Sequence, residues 1–325
     1  MAMPWALRLE VLAQIGAFLE HGTPPDRANG GDHNSAFSRA GVSAVEKRKT
    51  FAVGRRAASS GRAPGPASSI AVIPVFGLLT RRASWLQGYF GGTGADQLTA
   101  AFRMALADPS FGAVLFRFDS PGGEVGGIPE LAAEILAARG RKPIAAVADG
   151  QCCSAAYWLA AAADTVYAAP SAEVGSVGVY TLHGDVSRQL EMAGLKITLI
   201  QSAEYKMEGN PFQPLGADAR AFLQKRADEI GAQFTGDVAR SRGKSPGWAR
   251  SKDGAGAGRV FSAAEAKDRG MVDRIGTFDD AIRDLQAGHV SSRPASPAAR
   301  AFHSTAAPDL ELRQRLLEIE RDRLA

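Results

Sequence analysis

From Ile70 onward, short β-branched runs alternate with Ala/Leu-rich stretches of helical period. The pattern predicts strands at Ile70–Val75, Ala113–Phe118, Pro143–Val147, Thr165–Ala168, Val177–Leu182 and Lys196–Gln201. Between them it predicts helices near Gly94–Ala107, Ile128–Arg139, Ser154–Ala163 and Val186–Ala193. A long helix follows over Asp218–Ser241, then a Gly-rich loop and a last α/β element from Ser262 to Leu285. Near-continuous apolar strands separated by helices indicate an α/β fold whose sheet is covered on both faces.

The flanks read differently. Trp5, Leu9, Leu12, Ile15 and Leu19 stand near helical spacing and predict an amphipathic helix over 1–20. Arg8, Glu10, Gln14 and Glu20 interrupt the apolar run there, so it does not read as a secretion signal. Residues 21–69 form a Gly/Ser/Pro-rich stretch with eight basic and three acidic side chains between Gly22 and Ser69, which reads as a linker. Base-stacking aromatics are scarce there, which argues against nucleic acid as a partner. A second linker over 286–307 and a helix over 308–325, with Leu310, Leu317 and Leu324 seven apart, complete the chain around a domain at 70–285.

Composition narrows the classes. The 325 residues carry 45% hydrophobic, 22% charged and 7% aromatic side chains, enough for one large domain or two ordinary ones. The only cysteines, Cys152 and Cys153, are adjacent, which excludes a disulfide framework and a four-cysteine zinc site. They read as small buried hydrophobes. The best apolar run, Ile70–Leu79, is far short of the ~20 residues of a membrane span, so a cytoplasmic protein is expected. No His/Asp/Glu set has ligand spacing, and neither metal nor cofactor is expected.

Four segments could carry chemistry. Asp119-Ser120-Pro121-Gly122-Gly123 follows a strand, and its unshielded amides suit an anion or a developing oxyanion, although an ordinary strand-to-helix turn has the same composition. Ser154 lies between a strand end and an Ala-rich helix, in Gly150-Gln151-Cys152-Cys153-Ser154-Ala155-Ala156. It could cap that helix, or act as a nucleophile with the Ala155 N–H facing the same point. The setting lacks the Gly-x-Ser-x-Gly signature. The third segment is Gly175-Ser176-Val177-Gly178, and the fourth places Lys206 after the last predicted strand, where a lysine is ordinarily a solvated charge.

In this order the four segments resemble the signal peptide peptidase A family, serine peptidases with a Ser/Lys dyad on the ClpP/crotonase fold. The resemblance spans about Ile70 to Leu285. It implies Ser154 as nucleophile, Lys206 as general base and Ser176 as the hydroxyl that holds the lysine. It assigns Gly122, Gly123 and the Ala155 N–H to the oxyanion hole. Many members carry Ser-Gly-Gly where this chain has Ser154-Ala155-Ala156, a difference that bears on the shape of the side pocket. An ordinary lysine, with a pKa of about 10.4, is protonated at neutral pH, so a base at Lys206 requires burial away from carboxylates.

Met3-Pro4-Trp5-Ala6 and Val72-Ile73-Pro74-Val75-Phe76-Gly77 resemble the phage and prophage branch, which implies head maturation by cutting scaffold or capsid proteins. The expected partners are then a protein or peptide substrate, phage scaffold, capsid or portal proteins, and further copies of the chain. The expected location is the host cytoplasm or the prohead interior. The rival readings are a crotonase-type acyl-CoA enzyme, a catalytically silent assembly protein on the same fold, and a Ser-His-Asp triad through His183, the one histidine inside the predicted core.

Overall fold

The computed structural model describes residues 69–82 and 92–292, together with two-residue strands at 5–6 and 46–47. In chain order the elements are β1 (Trp5–Ala6), β2 (Glu46–Lys47), β3 (Ser69–Thr80), β4 (Gly92–Gly94), α1 (Ala95–Ala107), β5 (Phe111–Glu124), α2 (Ile128–Ala138), β6 (Ile144–Cys153) and α3 (Ala155–Ala161). Then come β7 (Thr165–Ala168), β8 (Glu173–Gly175), α4 (Ser187–Met192), α5 (Ala217–Arg242), α6 (Pro246–Arg250), β9 (Val260–Ser262), α7 (Ala263–Asp268), β10 (Arg274–Ile275) and α8 (Phe278–Gln286). Where the pattern predicts a helix over 1–20, Trp5–Ala6 is extended, and Glu46–Lys47 is a strand inside the expected linker. The rest of both segments, most of the expected linker at 286–307 and the helix expected over 308–325 lie outside the described residues.

The sheet runs in the order β10-β7-β6-β5-β3-β2, and its central pairs β3/β5, β5/β6, β6/β7 and β7/β10 are parallel. Alternation along the strands sends two sets of side chains to opposite faces. Ala71, Ile73, Val75, Val114, Phe116, Phe118, Ile144 and Ala146 join the core beneath α1, α2, α3 and the C-terminal part of α5. Ile70, Val72, Ala113, Leu115, Ala145 and Val147 instead meet Phe278, Ala281, Ile282 and Leu285 of α8. Each strand is therefore apolar on both sides, and the α/β architecture with a doubly covered sheet stands as expected.

β6 changes partners along its length. Its first half, Ala145–Ala148, pairs with β7, whereas Gln151–Cys153 pairs with β8, which is itself antiparallel to β9. That exchange carries the end of β6 away from β7 and toward the segment containing Ser176. The helix that follows, α3, is buried over all seven residues. Trp158 stacks on Phe234 of α5 with ring centroids 4.2 Å apart and donates from its indole N–H to Asp237. At the other end of α3, the buried Arg139 guanidinium donates to the carbonyls of Ala161, Ala162, Ala163 and Ser241.

Two expected strands do not form. Residues 177–182 and 196–201 have no ladder partner, apart from an isolated bridge at Tyr180. A β-branched run becomes a strand only where another backbone meets it. Here the segment leaves the sheet, and Leu182, Met192, Leu195, Ile197, Ile200, Tyr205, Phe212 and Phe222 are all solvent-exposed. The N-terminal half of α5 projects with this arm, since its buried residues are Phe234, Thr235, Val238, Ala239 and Ser241.

Candidate active site

Ser154 sits at the junction between β6 and α3 with φ 54° and ψ −121°. A residue with a Cβ pays about 1–3 kcal/mol to hold such a conformation, and the cost is concentrated at functional turns. Among the described residues, the non-glycine positions with positive φ are Ser154, Ser176 and Ala257. Two of these are serines singled out from the sequence. The Gly-x-Ser-x-Gly signature is absent, yet the strained strand–turn–helix placement associated with it is present.

The capping alternative for Ser154 fails. Its carbonyl accepts the first helical bond, from the Trp158 amide at 3.0 Å, but its side chain makes no cap. The hydroxyl is buried, and Oγ has no hydrogen-bond partner among the described residues. An unpaired buried hydroxyl costs free energy that a structural role would avoid, so the group is poised for something besides folding.

The turn is held from two sides. The Ser154 amide donates to the Gly175 carbonyl at 2.8 Å, and the Ser176 amide donates to the Arg259 carbonyl at 2.7 Å. Gly175 has φ 138°, and a Cβ there would lie 2.4 Å from the Arg259 carbonyl oxygen, so only glycine fits between β8 and β9. These contacts bring the Ser154 and Ser176 backbones together. On the opposite side, Asp119 Oδ1 accepts from the Gln151 amide at 3.0 Å and ties the β5 segment to the approach to Ser154.

Gly122 and Gly123 are not in the expected turn. β5 continues through them, and they pair with Leu78 and Leu79 of β3. A Cβ on Gly123 would lie 1.9 Å from the Leu79 carbonyl oxygen, so close strand approach demands glycine here. The Gly122 amide donates a long bond, 3.2 Å, to Ser120 Oγ, whose own hydroxyl donates to the Gly77 carbonyl at 2.6 Å. Ala155, the expected second donor, is buried at the first position of α3.

Lys206 is solvent-exposed, whereas Ser154 is buried. The lysine lies on the turn 203–208, and its amide donates to the Ala203 carbonyl at 3.1 Å. Its side chain has no hydrogen bond or ion pair among the described residues. The burial required of a neutral amine is thus not supplied by one copy of the chain. Beside the turn is a cavity of about 270 Å³ lined by His183, Glu204, Tyr205, Met207, Asn210 and Leu215 among others, and Ser154 does not line it. His183 Nε2 is 2.9 Å from the Asn210 carbonyl, on the arm, which gives a Ser-His-Asp triad no support.

Both cysteines are free and buried, as expected, and burial pushes the Cys152 thiol well up. Among the described residues no helix is long and apolar enough to cross a membrane. Sequence reasoning missed Asp119 as the tie to the Ser154 turn and Arg139 as the clamp on α3. The carboxylate beside Ser120-Pro121-Gly122-Gly123 was the available signal for Asp119, whereas nothing local marks Arg139.

These features define an α/β protein with a candidate serine nucleophile at the end of a parallel strand. The segment 137–291 matches the family model for Peptidase family S49. Capsid assembly protease C of Escherichia phage lambda is 37% identical over 215 residues, covering 66% of this chain and 48% of that protein. Head-tail preconnector protein GP5 of Enterobacteria phage P21 is 34% identical over 215 residues, covering 66% of this chain and 42% of that protein. The chain therefore spans less than half the length of these two relatives. A solved ClpP1 mutant from Listeria monocytogenes superposes with a TM-score of 0.41 at 15% identity, over 65% of this chain and 94% of that one.

Proposed function

We propose that this protein is a serine endopeptidase that cuts phage scaffold, capsid or portal proteins during head assembly. The observation that carries the reading is Ser154: a buried hydroxyl without a partner among the described residues, on a backbone turn strained to φ 54°. In the proposed cycle Ser154 Oγ attacks the scissile carbonyl carbon while Lys206 Nζ takes the hydroxyl proton. The C–N bond then breaks, Lys206 returns the proton to the leaving amine, and an acyl-Ser154 ester remains. Water deprotonated by Lys206 attacks that ester, the ester C–O bond breaks, Lys206 passes the proton to Ser154 Oγ, and the carboxylic acid product leaves and gives up its own proton to solvent. Ser176 orients the lysine without adding a charge that would keep it protonated. Amides at Gly122, Gly123 and Ala155 stabilise the oxyanion.

The same reading requires an assembly. Lys206 is exposed in the single chain, and the arm around it exposes Leu195, Ile197, Ile200 and Tyr205. Burial of these apolar side chains between copies would also withdraw the Lys206 amine from water. A homo-oligomer is therefore part of the proposal, and cytoplasm or prohead is its setting.

Incubation of the full chain with a serine-directed fluorophosphonate, followed by peptide mapping, tests the assignment. The label is expected on Ser154 and absent from Ser154→Ala. Label on another serine, or none, would overturn it.

A further inference from the structure

β6 leaves the sheet at Cys153, but its neighbour β5 runs on to Glu124. The last pair between the two strands is Ser120 with Cys152. Beyond it, Gly122 and Gly123 keep their partners Leu78 and Leu79 in β3, on the other edge of β5. The edge facing β6 is thus vacated where the chain turns into Ser154. An uncovered strand edge is a template for another extended backbone.

That edge is occupied by the chain itself. β1 pairs antiparallel with β5, with Ala6 opposite Gly123 and Trp5 opposite Glu124. Leu79 already holds one edge of Gly123, so β1 lies on the vacated edge, at Gly123 and Glu124. Strand addition of this kind is a common way to hold an extended polypeptide, because backbone pairing is indifferent to side chains.

We infer that the Gly123–Glu124 edge receives the extended polypeptide to be cut, and that the strand Trp5–Ala6 occupies it as an intramolecular competitor. The inference rests on the peptidase reading above. A segment tethered to the same chain acts at an effective concentration of about 1 mM. A tenfold block then needs an intrinsic affinity of about 0.1 mM. The short pairing also explains how a substrate with more paired residues displaces it. Peptidase activity is restrained until an assembling substrate presents a longer strand at high local concentration.

The test compares fluorophosphonate labelling rates at Ser154 in the full chain, in Ala6→Pro and in a variant lacking residues 2–12. Proline removes an amide N–H and disfavours ladder pairing. Labelling about tenfold faster in both variants, slowed again by an added synthetic peptide of residues 1–12, is the expected result. Equal rates in all three proteins, with no effect of the peptide, overturn the inference alone. Loss of labelling in both variants while the parent reacts also overturns it, since the segment is then structural. No labelling of Ser154 in any of the three removes the peptidase reading, and the inference with it.

Discussion

The Ser154 amide donates a 2.8 Å hydrogen bond to the carbonyl of Gly175, residue to residue across the end of β6 and β8. Ser176, the next residue, shares with Ser154 a left-handed φ, 56° against 54°. The bond holds two strained serines side by side, and the strain is sustained because β8 is itself clamped by β9. The Ser154–Ser176 part of the candidate site is therefore held by the pairing of β6 with β8 and of β8 with β9.

Replacement of Ser154 separates activity from folding. Ser154→Ala is expected to be inactive and no less stable than the parent, because the lost hydroxyl caps nothing and has no partner among the described residues. Ser154→Gly is expected to be inactive and more stable by about 1 kcal/mol, since glycine relieves the positive φ. Peptide hydrolysis and urea unfolding of the two variants check this.

Lys206→Arg is expected to be as inactive as Lys206→Ala, because guanidinium does not give up its proton. His183→Ala should keep activity, as its ring is held at the Asn210 carbonyl on the arm. Turnover of a fluorogenic peptide by the three variants is the measurement. Rescue by arginine would make the residue a binding cation.

Ile200 is 92% exposed, so nothing in the single chain is lost when it changes. Ile200→Asp is expected to leave the melting temperature of the subunit nearly unchanged while lowering the mass found by light scattering and the peptidase rate together. An unchanged mass would show that the arm does not join copies.

Arg139 is expected to matter for stability rather than chemistry. Its buried guanidinium donates to the carbonyls of Ala161, Ala162, Ala163 and Ser241, locking the end of α3 to α5. Arg139→Met keeps the apolar stem and abandons those carbonyls, at a cost of about 3 kcal/mol in chemical denaturation.

Acid sensitivity has an assignable source in Asp284. Burial pushes its carboxyl up, but hydrogen bonds from Tyr167, His289 and Arg274 outweigh this and hold it below the usual carboxylate range. A depressed folded pKa contributes stability above the unfolded value of about 4, and that contribution is lost as pH falls through the lower folded value. Asp284→Asn should therefore be less stable at neutral pH and show a smaller further loss between pH 5 and about 2. Unfolding midpoints across that range report it.

Most of the helices and the central strands were legible in the sequence because their signals are local. The runs Ile70–Val75, Ala113–Phe118 and Thr165–Ala168 are apolar on both faces, and only a covered parallel sheet satisfies such strands. The place of Ser154 between a strand and an Ala-rich helix was legible for the same reason. Its lack of a capping bond and its left-handed φ were not, because both arise from Gly175, Arg259 and the exchange of β7 for β8 along β6. Nor could the sequence show that Gly122-Gly123 stays within a strand, since that depends on β3 approaching within contact of Gly123. Residues 177–182 and 196–201 have strand composition but no backbone to pair with. Composition determined where strands could form, and tertiary structure decided which did, because a strand's hydrogen bonds belong to its neighbour as much as to itself.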